Sequence, residues 1–371
     1  MKRIVVVFFV MLAAIGPLAA VWAGTDAPGE FSIRSVQPLT EEQLARLRRL
    51  VQADVEAAAL AAAVRQAVEP LLAAQPRPLE AIHYEGLVNT DPRRIATVAQ
   101  LREMDDVAAV VRYWQVSDDP SAAAMLERFI LAWARTYRPT GNDVNENKLY
   151  PLLVAYFHLR HRFPPDDQKT VDAWLRDIGE RHARAVQSAS RFTNRYTKRV
   201  RLLSILGRIL GEVAWAEMTE MAIQRFVTHG LKPDGRSVDL IYRDTLTYHN
   251  SALVPILELA INVGRPDLYD WESPDGSSIR RSVEYVVPYA TGEKTREEWR
   301  NTTVQLDRRR AEAGLEAYRP GRLFDPQDAL ELMELAAYFD PALLRVVLHL
   351  TGSPAKRFPT WQTLVNAACQ P

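Results

Sequence analysis

The chain has little cysteine and no overall charge. Its 371 residues include one cysteine, Cys369, two residues from the C-terminus. A single cysteine cannot form a disulfide within the chain or build a cysteine-rich metal site. The 46 basic residues balance the 46 acidic ones, so no general basic field suggests nucleic acid as a partner. A polyanionic ligand would need a local cluster of cations.

The motifs of several common enzyme classes are also absent. The sequence has no HExxH zinc motif, no phosphate-binding loop, no GxSxG nucleophile motif and no dinucleotide fingerprint. Its seven histidines are scattered along the chain. The sequence therefore predicts neither a metal nor a cofactor.

The one long apolar run lies at the N-terminus. Lys2 and Arg3 precede an apolar stretch over residues 4–20, and small residues flank the bond after Ala23. This pattern is typical of a cleavable signal peptide over residues 1–23, with a retained membrane anchor as the alternative. No later segment approaches the ~20 apolar residues that a membrane span needs. We expect a periplasmic or secreted protein that has no membrane attachment after cleavage.

The rest of the chain has the pattern of a helical protein. After a polar linker over residues 24–38, apolar residues recur at helical spacing in one segment after another, and Pro, Gly and Asp separate the segments. Thr40 and Gln43 have the spacing of a capping box. The best candidate for a strand is the short segment 236–242. We predict a single all-α domain over residues 39–371, although the pattern alone does not choose between a bundle and a ring of hairpins.

Three polar stretches are richer in functional groups than a helix boundary requires. The first holds Asn145 and Glu146, and the third runs from Arg243 to Tyr248 and His249. The second is the densest basic cluster in the chain, and it comprises Arg195, Lys198, Arg199 and Arg201 beside Asn194 and Tyr196. Cations are unfavourable at a helix start, so this cluster needs an anion or a partner carboxylate. Capped and solvated helix ends remain the simpler explanation for each stretch.

Four segments occur in an order that resembles the alginate lyase superfamily of polysaccharide lyases. They are HYEGLVNTDPRR at 83–94, GNDVNENKLYPLLVAY at 141–156, TNRYTKRVRLLSILGRIL at 193–210 and DGRSVDLIYRDTLTYHNSALVPILELA at 234–260. The resemblance implies an incomplete (α/α) toroid of helical hairpins. It also implies β-elimination on a uronic-acid polymer of the alginate or glucuronan type. The family commonly has a histidine just after the asparagine of the third segment, where this chain has Arg195 and Tyr196.

The resemblance assigns roles to the polar residues. Removal of the C5 proton of a uronate requires its carboxylate to be neutralised, and Asn194 or a protonated Glu146 is expected to do this. Tyr248 is the expected base and acid, and Arg243 is expected to favour its phenolate form. His249 is a second acid/base group or an orienting partner.

The remaining candidates are expected to bind substrate. Arg195, Lys198 and Arg199 suit the carboxylates of flanking uronates, with Asn145 beside them. Tyr84 and Tyr196 are expected to stack on sugar faces.

Two other interpretations stay open. In the first, the chain is a non-catalytic glycan-binding or export-associated protein of the same fold. In the second, it is a helical scaffold without a sugar site. In both, Tyr248 and His249 only begin a core helix, and Arg243 pairs with Asp239 or Asp244. The catalytic interpretation predicts that Asn145 or Glu146, Asn194, Arg243 and Tyr248 meet in one groove, with Arg195 or Tyr196 in place of the family histidine.

Overall fold

The computed structural model of the protein describes residues 36–370. The predicted signal peptide and most of the linker lie outside these residues. The structure is 69% helical with 2% strand, which confirms the all-α class. No helix among the described residues is both long and apolar enough to cross a membrane.

The α-helices of residues 36–370 are short to medium in length, and their bounds follow. They are α1 (Glu41–Ala53), α2 (Val55–Val68), α3 (Pro92–Leu101), α4 (Glu103–Ser117), α5 (Pro120–Thr136), α6 (Asp143–Glu146), α7 (Tyr150–Leu159), α8 (Pro165–Gln187), α9 (Asn194–Leu210), α10 (Val213–Gly230), α11 (Val238–Arg243), α12 (Leu246–Asn262), α13 (Asp267–Asp270), α14 (Ile279–Ala290), α15 (Gln305–Glu312), α16 (Leu330–Ala336), α17 (Leu344–Leu350) and α18 (Trp361–Cys369). Two short strands, β1 (Glu297–Glu298) and β2 (Arg322–Leu323), pair antiparallel.

The helices pack as a toroid with an inner and an outer layer. The inner contacts run from α1 to α4, α7, α9, α12, α16 and α18, and α18 packs back on α1. Outer helices cover this ring: α5 packs on α4 and α7, α8 and α10 pack on α9, and α14 packs on α12 and α16. The helices thereby bury their apolar faces mainly against other helices, as the near absence of strand requires.

Local sequence signals fix several helix boundaries. The capping box at α1 is confirmed. The Thr40 side chain accepts from the backbone N–H of Gln43, and the Gln43 side chain accepts from the backbone N–H of Thr40. The strand expected at 236–242 is wrong, because most of this segment forms α11. The Ser237 hydroxyl caps that helix by accepting from Leu240 N at 3.2 Å.

The fold brings the second and third polar stretches together. Helix α9 starts at Asn194, α11 ends at Arg243, and α12 starts at Leu246. Because α12 packs on both α9 and α11, these boundaries share one side of the ring. A groove lies there.

Candidate active site

The groove has a volume of about 1160 Å³ and a basic lining. It is formed by the loop from α8 to α9, the first turns of α9, the end of α10, helix α11 and residues 303–304. The lining residues include one carboxylate, Asp239, and four arginines, which are Arg191, Arg195, Arg199 and Arg243. We call this feature the arginine groove. Its charge suits a polyanionic ligand, although the chain as a whole is neutral.

Asn194 opens α9 at the wall of the arginine groove. The preceding residue, Thr193, makes no capping bond through its side chain. Instead the backbone N–H of Asn194 donates to Asp239 Oδ2 at 2.6 Å, which satisfies one of the exposed donors of a helix start. None of the hydrogen bonds among residues 36–370 uses the Asn194 carboxamide, although the residue is 4% exposed. That amide is therefore available to donate to an anion in the groove.

Arg243 joins the arginine groove to Tyr248. Its guanidinium lies over the Tyr248 ring, with Cζ 3.6 Å from the ring centroid. Its Nη1 is 3.1 Å from Asp307 Oδ1, and its Nε is 4.0 Å from Asp239 Oδ1. Of the two pairings considered from the sequence, the one with Asp239 is present but long. Asp244 pairs with Arg296 at 2.5 Å instead.

Tyr248 lies in the first turn of α12 and is 3% exposed. It belongs to a small aromatic cluster, separate from the main core, with Trp299 and Tyr318. The Trp299 ring meets it edge-on at 5.8 Å between centroids, and Arg310 Nη1 donates to its hydroxyl at 3.4 Å. Tyr248 is not among the residues that line the arginine groove. It forms a second layer, in contact with the lining residue Arg243.

The segment that covers Tyr248 is fixed to the start of α12. Glu298 accepts hydrogen bonds from Thr245 Oγ1 at 2.9 Å, from Leu246 N at 2.6 Å and from Thr247 Oγ1 at 3.3 Å. Trp299 follows with a φ of 67°, a backbone conformation that is costly for a bulky residue. The backbone N–H of Trp299 donates to the backbone oxygen of Asp244 at 2.8 Å, which helps to hold this conformation. Tyr248 is therefore placed by contacts on both sides of its ring.

His249 is a structural residue in this arrangement. It is fully buried, its Nδ1 accepts from the backbone N–H of Ser237 at 3.2 Å, and its Nε2 lies 3.0 Å from Ser282 O. These contacts fit a neutral ring that carries its proton on Nε2. Burial lowers the pKa of His249 to about 4. The expected role as a second acid/base group is not supported, since neither ring nitrogen faces the groove.

Asn145 and Glu146 do not line the arginine groove. The Asn145 side chain accepts from Glu85 N at 3.0 Å and donates to Ile82 O at 2.9 Å, so both of its ends hold the 82–85 loop. The two residues therefore do not join Asn194 and Arg243, contrary to our expectation.

The surroundings of Glu146 contradict the protonated form that was expected from the sequence. Burial alone would raise the pKa of Glu146, but His182 Nε2 at 2.7 Å and the N–H groups of Thr140 and Gly141 lower it below its usual value. The group is a structural carboxylate. It holds the 140–146 turn against α8.

Arg195 and Tyr196 both line the arginine groove, as expected for residues in the histidine position. Arg195 is bound by Asp143 at 2.9 Å and Glu85 at 3.1 Å, and these carboxylates supply the partners that the basic cluster requires. The Tyr196 hydroxyl is buried and has no hydrogen-bond partner among the described residues. Burial raises the pKa of Tyr196 to about 12, so this phenol stays protonated and can donate to a ligand.

The other expected binding residues are less well placed. Arg199 lines the groove and pairs with Asp143 at 2.7 Å. Lys198 does not line it, and its charge only partly offsets the burial that raises the pKa of the nearby Asp239. Tyr84 is 2% exposed, with Arg94 over its ring at 3.9 Å. A buried ring cannot stack on a sugar, so the expectation for Tyr84 is not met in this structure.

Several groups at the site were missed from the sequence. Asp239 was considered only as a partner of Arg243, yet it also caps α9. His229, at the end of α10, brings an imidazole to the groove, and its ring packs on Phe192 at 4.9 Å. Glu298 and Arg310 lie beyond all four resembling segments. No periodicity marks them, because their positions depend on loops that fold back over α12.

Residues 36–370 hold no group of three His, Cys, Asp or Glu that could bind a metal ion. No curated protein matches the sequence. The family profile named alginate lyase matches residues 51–296.

Solved structures of alginate lyases share the fold. An alginate lyase from Bacteroides ovatus has a TM-score of 0.61 at 14% identity, covering 90% of this chain and 99% of that chain. Alginate lyase A1-III from Sphingomonas species A1 has a TM-score of 0.59 at 16% identity, covering 82% and 89%. A variant of A1-III complexed with tetrasaccharide has a TM-score of 0.58 at 15% identity, covering 82% and 88%. Such identities support the fold alone, and the family match carries the assignment. The chain belongs to the alginate lyase family and is a polysaccharide lyase, a carbon–oxygen lyase that acts by β-elimination.

Proposed function

We propose that this lyase cleaves a uronic-acid polysaccharide of the alginate or glucuronan type in the arginine groove, with Tyr248 as acid/base. One observation carries the proposal. The available carboxamide of Asn194 and the guanidinium of Arg243 line the same groove, and that guanidinium lies 3.6 Å from the Tyr248 ring centroid. An amide donor, a cation and a phenol are thus connected at one site.

The reaction breaks the bond between C4 and the glycosidic oxygen. A base removes the proton on C5, the electron pair forms the C4–C5 double bond, and the leaving oxygen takes a proton. Charge develops on the C6 carboxylate as the C5–H bond breaks, so donors aimed at that carboxylate lower the barrier. Asn194 and Tyr196 are the proposed donors, and Arg195 supplies positive charge. Glu146 is withdrawn from this role because of its lowered pKa.

Tyr248 is proposed as the group that moves the proton. Two guanidinium groups, of Arg243 and Arg310, lie against its ring and its hydroxyl. Positive charge nearby favours the phenolate, which is the form that accepts the C5 proton. Since the hydroxyl is in the second layer, contact with C5 requires Arg243 or the covering segment around Trp299 to shift when substrate binds.

The substrate class is supported by charge and by the neighbours. Four groove arginines match a chain that carries one carboxylate on each sugar. A variant of A1-III has been solved with tetrasaccharide, which supports a saccharide as the ligand of this fold. The N-terminal pattern of residues 1–23 supports export, so we propose that the polymer is met in the periplasm or outside the cell.

A second candidate is a glycan-binding protein without catalysis. The observation that favours it is the burial of Tyr248 beneath Trp299 and Tyr318, together with the absence of a histidine at position 195 or 196. Such a protein would use the same groove and bind the same polymers.

One assay separates the two candidates. The unsaturated sugar absorbs in the ultraviolet, because its double bond is conjugated with the carboxylate. The purified protein is incubated with mannuronate-rich alginate, guluronate-rich alginate, glucuronan and, as a neutral control, dextran. The lyase proposal expects rising absorbance on at least one uronate and none on dextran. Binding to a uronate polymer with no absorbance change on any of them would favour the second candidate.

A further inference from the structure

Helix α15 presents two charged side chains to the Tyr248 site. Asp307 and Arg310 are three residues apart and therefore lie on the same face of the helix. Asp307 Oδ1 is 3.1 Å from Arg243 Nη1, and Arg310 Nη1 is 3.4 Å from the Tyr248 hydroxyl. The helix thus contacts both members of the proposed acid/base unit. It lies outside residues 51–296, which match the family.

Arg310 is held firmly where it meets the phenol. It is 4% exposed, and the same Nη1 donates to the Tyr318 hydroxyl at 2.7 Å. Its Cζ also lies 4.8 Å from the centre of the Tyr318 ring. An arginine stays charged under all relevant conditions. A buried, fixed cation beside a phenol oxygen favours the ionised phenol and holds its orientation.

We infer that Arg310 is a positioning residue for the elimination, which holds the Tyr248 hydroxyl and favours its ionised form. This inference rests on the proposed function. It adds a group that does not line the arginine groove and that acts through the tyrosine. Arg243 differs from it in lining the groove, where it can also touch substrate.

Several charged groups other than Arg310 also lie near Tyr248. Arg243 approaches from α11, and Arg310 and Asp307 approach from α15. Glu298 lies at the start of the tyrosine's own helix and is bound by Thr245, Leu246 and Thr247. Arg310 donates a hydrogen bond to the phenol oxygen itself, whereas the guanidinium of Arg243 lies over the ring. Removal of Arg310 should therefore act on the ionisation of Tyr248 most directly.

The test is the pH dependence of kcat and KM on the uronate polymer that the wild type cleaves. In Arg310→Gln the rising limb of the plot of kcat against pH should move to higher pH by about one unit. This is the lower end of the pKa shift that a neighbouring charge causes. At neutral pH kcat should fall about tenfold, and KM should stay within about twofold, because Arg310 does not line the groove. Arg310→Lys keeps a cation and should restore most of the lost activity. Arg309→Gln, an exposed neighbour on α15, is the matched control and should behave as wild type.

Two results separate this inference from the proposed function. If Tyr248→Phe is inactive while the limb in folded Arg310→Gln is unmoved, the inference about Arg310 fails and the tyrosine assignment stands. If Tyr248→Phe retains wild-type activity, the tyrosine assignment itself fails.

A third variant covers the case in which Arg310→Gln does not fold. Tyr318→Phe removes the nearer of the two phenol oxygens bound to Arg310 Nη1, at 2.7 Å. The guanidinium is then directed to Tyr248, and the limb should move to lower pH. An unmoved limb in Tyr318→Phe would overturn the inference.

Discussion

Tyr248→Phe removes one hydroxyl and retains the ring, so it separates chemistry from packing. The ring keeps its edge contact with Trp299 at 5.8 Å and its place beneath Arg243 at 3.6 Å. The hydrogen bond from Arg310, at 3.4 Å, is lost with the hydroxyl. Arg310 Nη1 retains its shorter bond to the Tyr318 hydroxyl at 2.7 Å.

The two expected effects differ greatly in size. Loss of the hydrogen bonding of one phenol hydroxyl should reduce the free energy of unfolding by about 1–2 kcal/mol, which is small against a typical total of about 5–15 kcal/mol. Loss of a general acid/base should lower kcat by on the order of 10²–10⁴, or about 3–5 kcal/mol of transition-state stabilisation. Unfolding therefore cannot account for the expected loss of activity.

The assay is the rate of ultraviolet absorbance increase on the cleaved polymer, with urea unfolding measured on the same preparations. Tyr242→Phe is the matched control, because Tyr242 lines the arginine groove and is 53% exposed. We expect it to retain most of the activity. A folded Tyr248→Phe that releases product at the wild-type rate would refute the reasoning. If Tyr242→Phe were the inactive variant, the acid/base role would pass to Tyr242.

Three further predictions concern neighbouring charges. Arg243→Ala should move the rising limb of kcat to higher pH and also raise KM, since Arg243 lines the groove; an unchanged pH profile would contradict its action on the phenol. Burial raises the pKa of Asp239 to about 6 in the folded state, so the wild type should lose stability as pH rises from about 4 to about 6. Urea unfolding of Asp239→Asn should lack this part of the loss, and an identical pH dependence in both proteins would count against it. Glu146→Gln removes a charged acceptor from the N–H groups of Thr140 and Gly141 and from His182, and it should cost about 1–3 kcal/mol of stability. The kcat of the folded protein should stay within a few-fold; a stable variant with greatly reduced kcat would return Glu146 to the catalytic site.

Local patterns were sufficient for the class of fold and for some helix boundaries. Apolar residues at helical spacing predicted the all-α class, and Thr40 with Gln43 predicted the start of α1. These features depend on residues within a few positions of one another, and they can be read along the chain. The segment 236–242 shows the limit of such reasoning. Its alternating pattern suggested a strand, but the Ser237 cap and packing against α12 gave a short helix instead.

The candidate site was predicted in part. Asn194, Arg195, Tyr196, Arg199 and Arg243 do line one groove. The polar stretch at 142–148 was expected to join them, since it also starts a helix with polar groups. The Asn145 side chain binds the 82–85 loop and that of Glu146 binds His182 on α8 instead, although Asp143 of the same stretch does pair with the groove arginines Arg195 and Arg199. Whether a polar residue at a helix start faces a ligand or a neighbouring loop depends on what packs there, and sequence spacing does not contain that information.

The sequence by itself determined the helices, the segment order that resembles the family, and the kinds of polar group present. The tertiary structure alone decided which of those groups meet and how they ionise. Asp143 binds Arg195 at the basic start of α9 from 52 residues away, and Arg310 contacts Tyr248 from 62 residues away. Charge interactions and desolvation depend on distance through space and on burial. A side chain gains its charged neighbours and its burial only when remote parts of the chain pack against it.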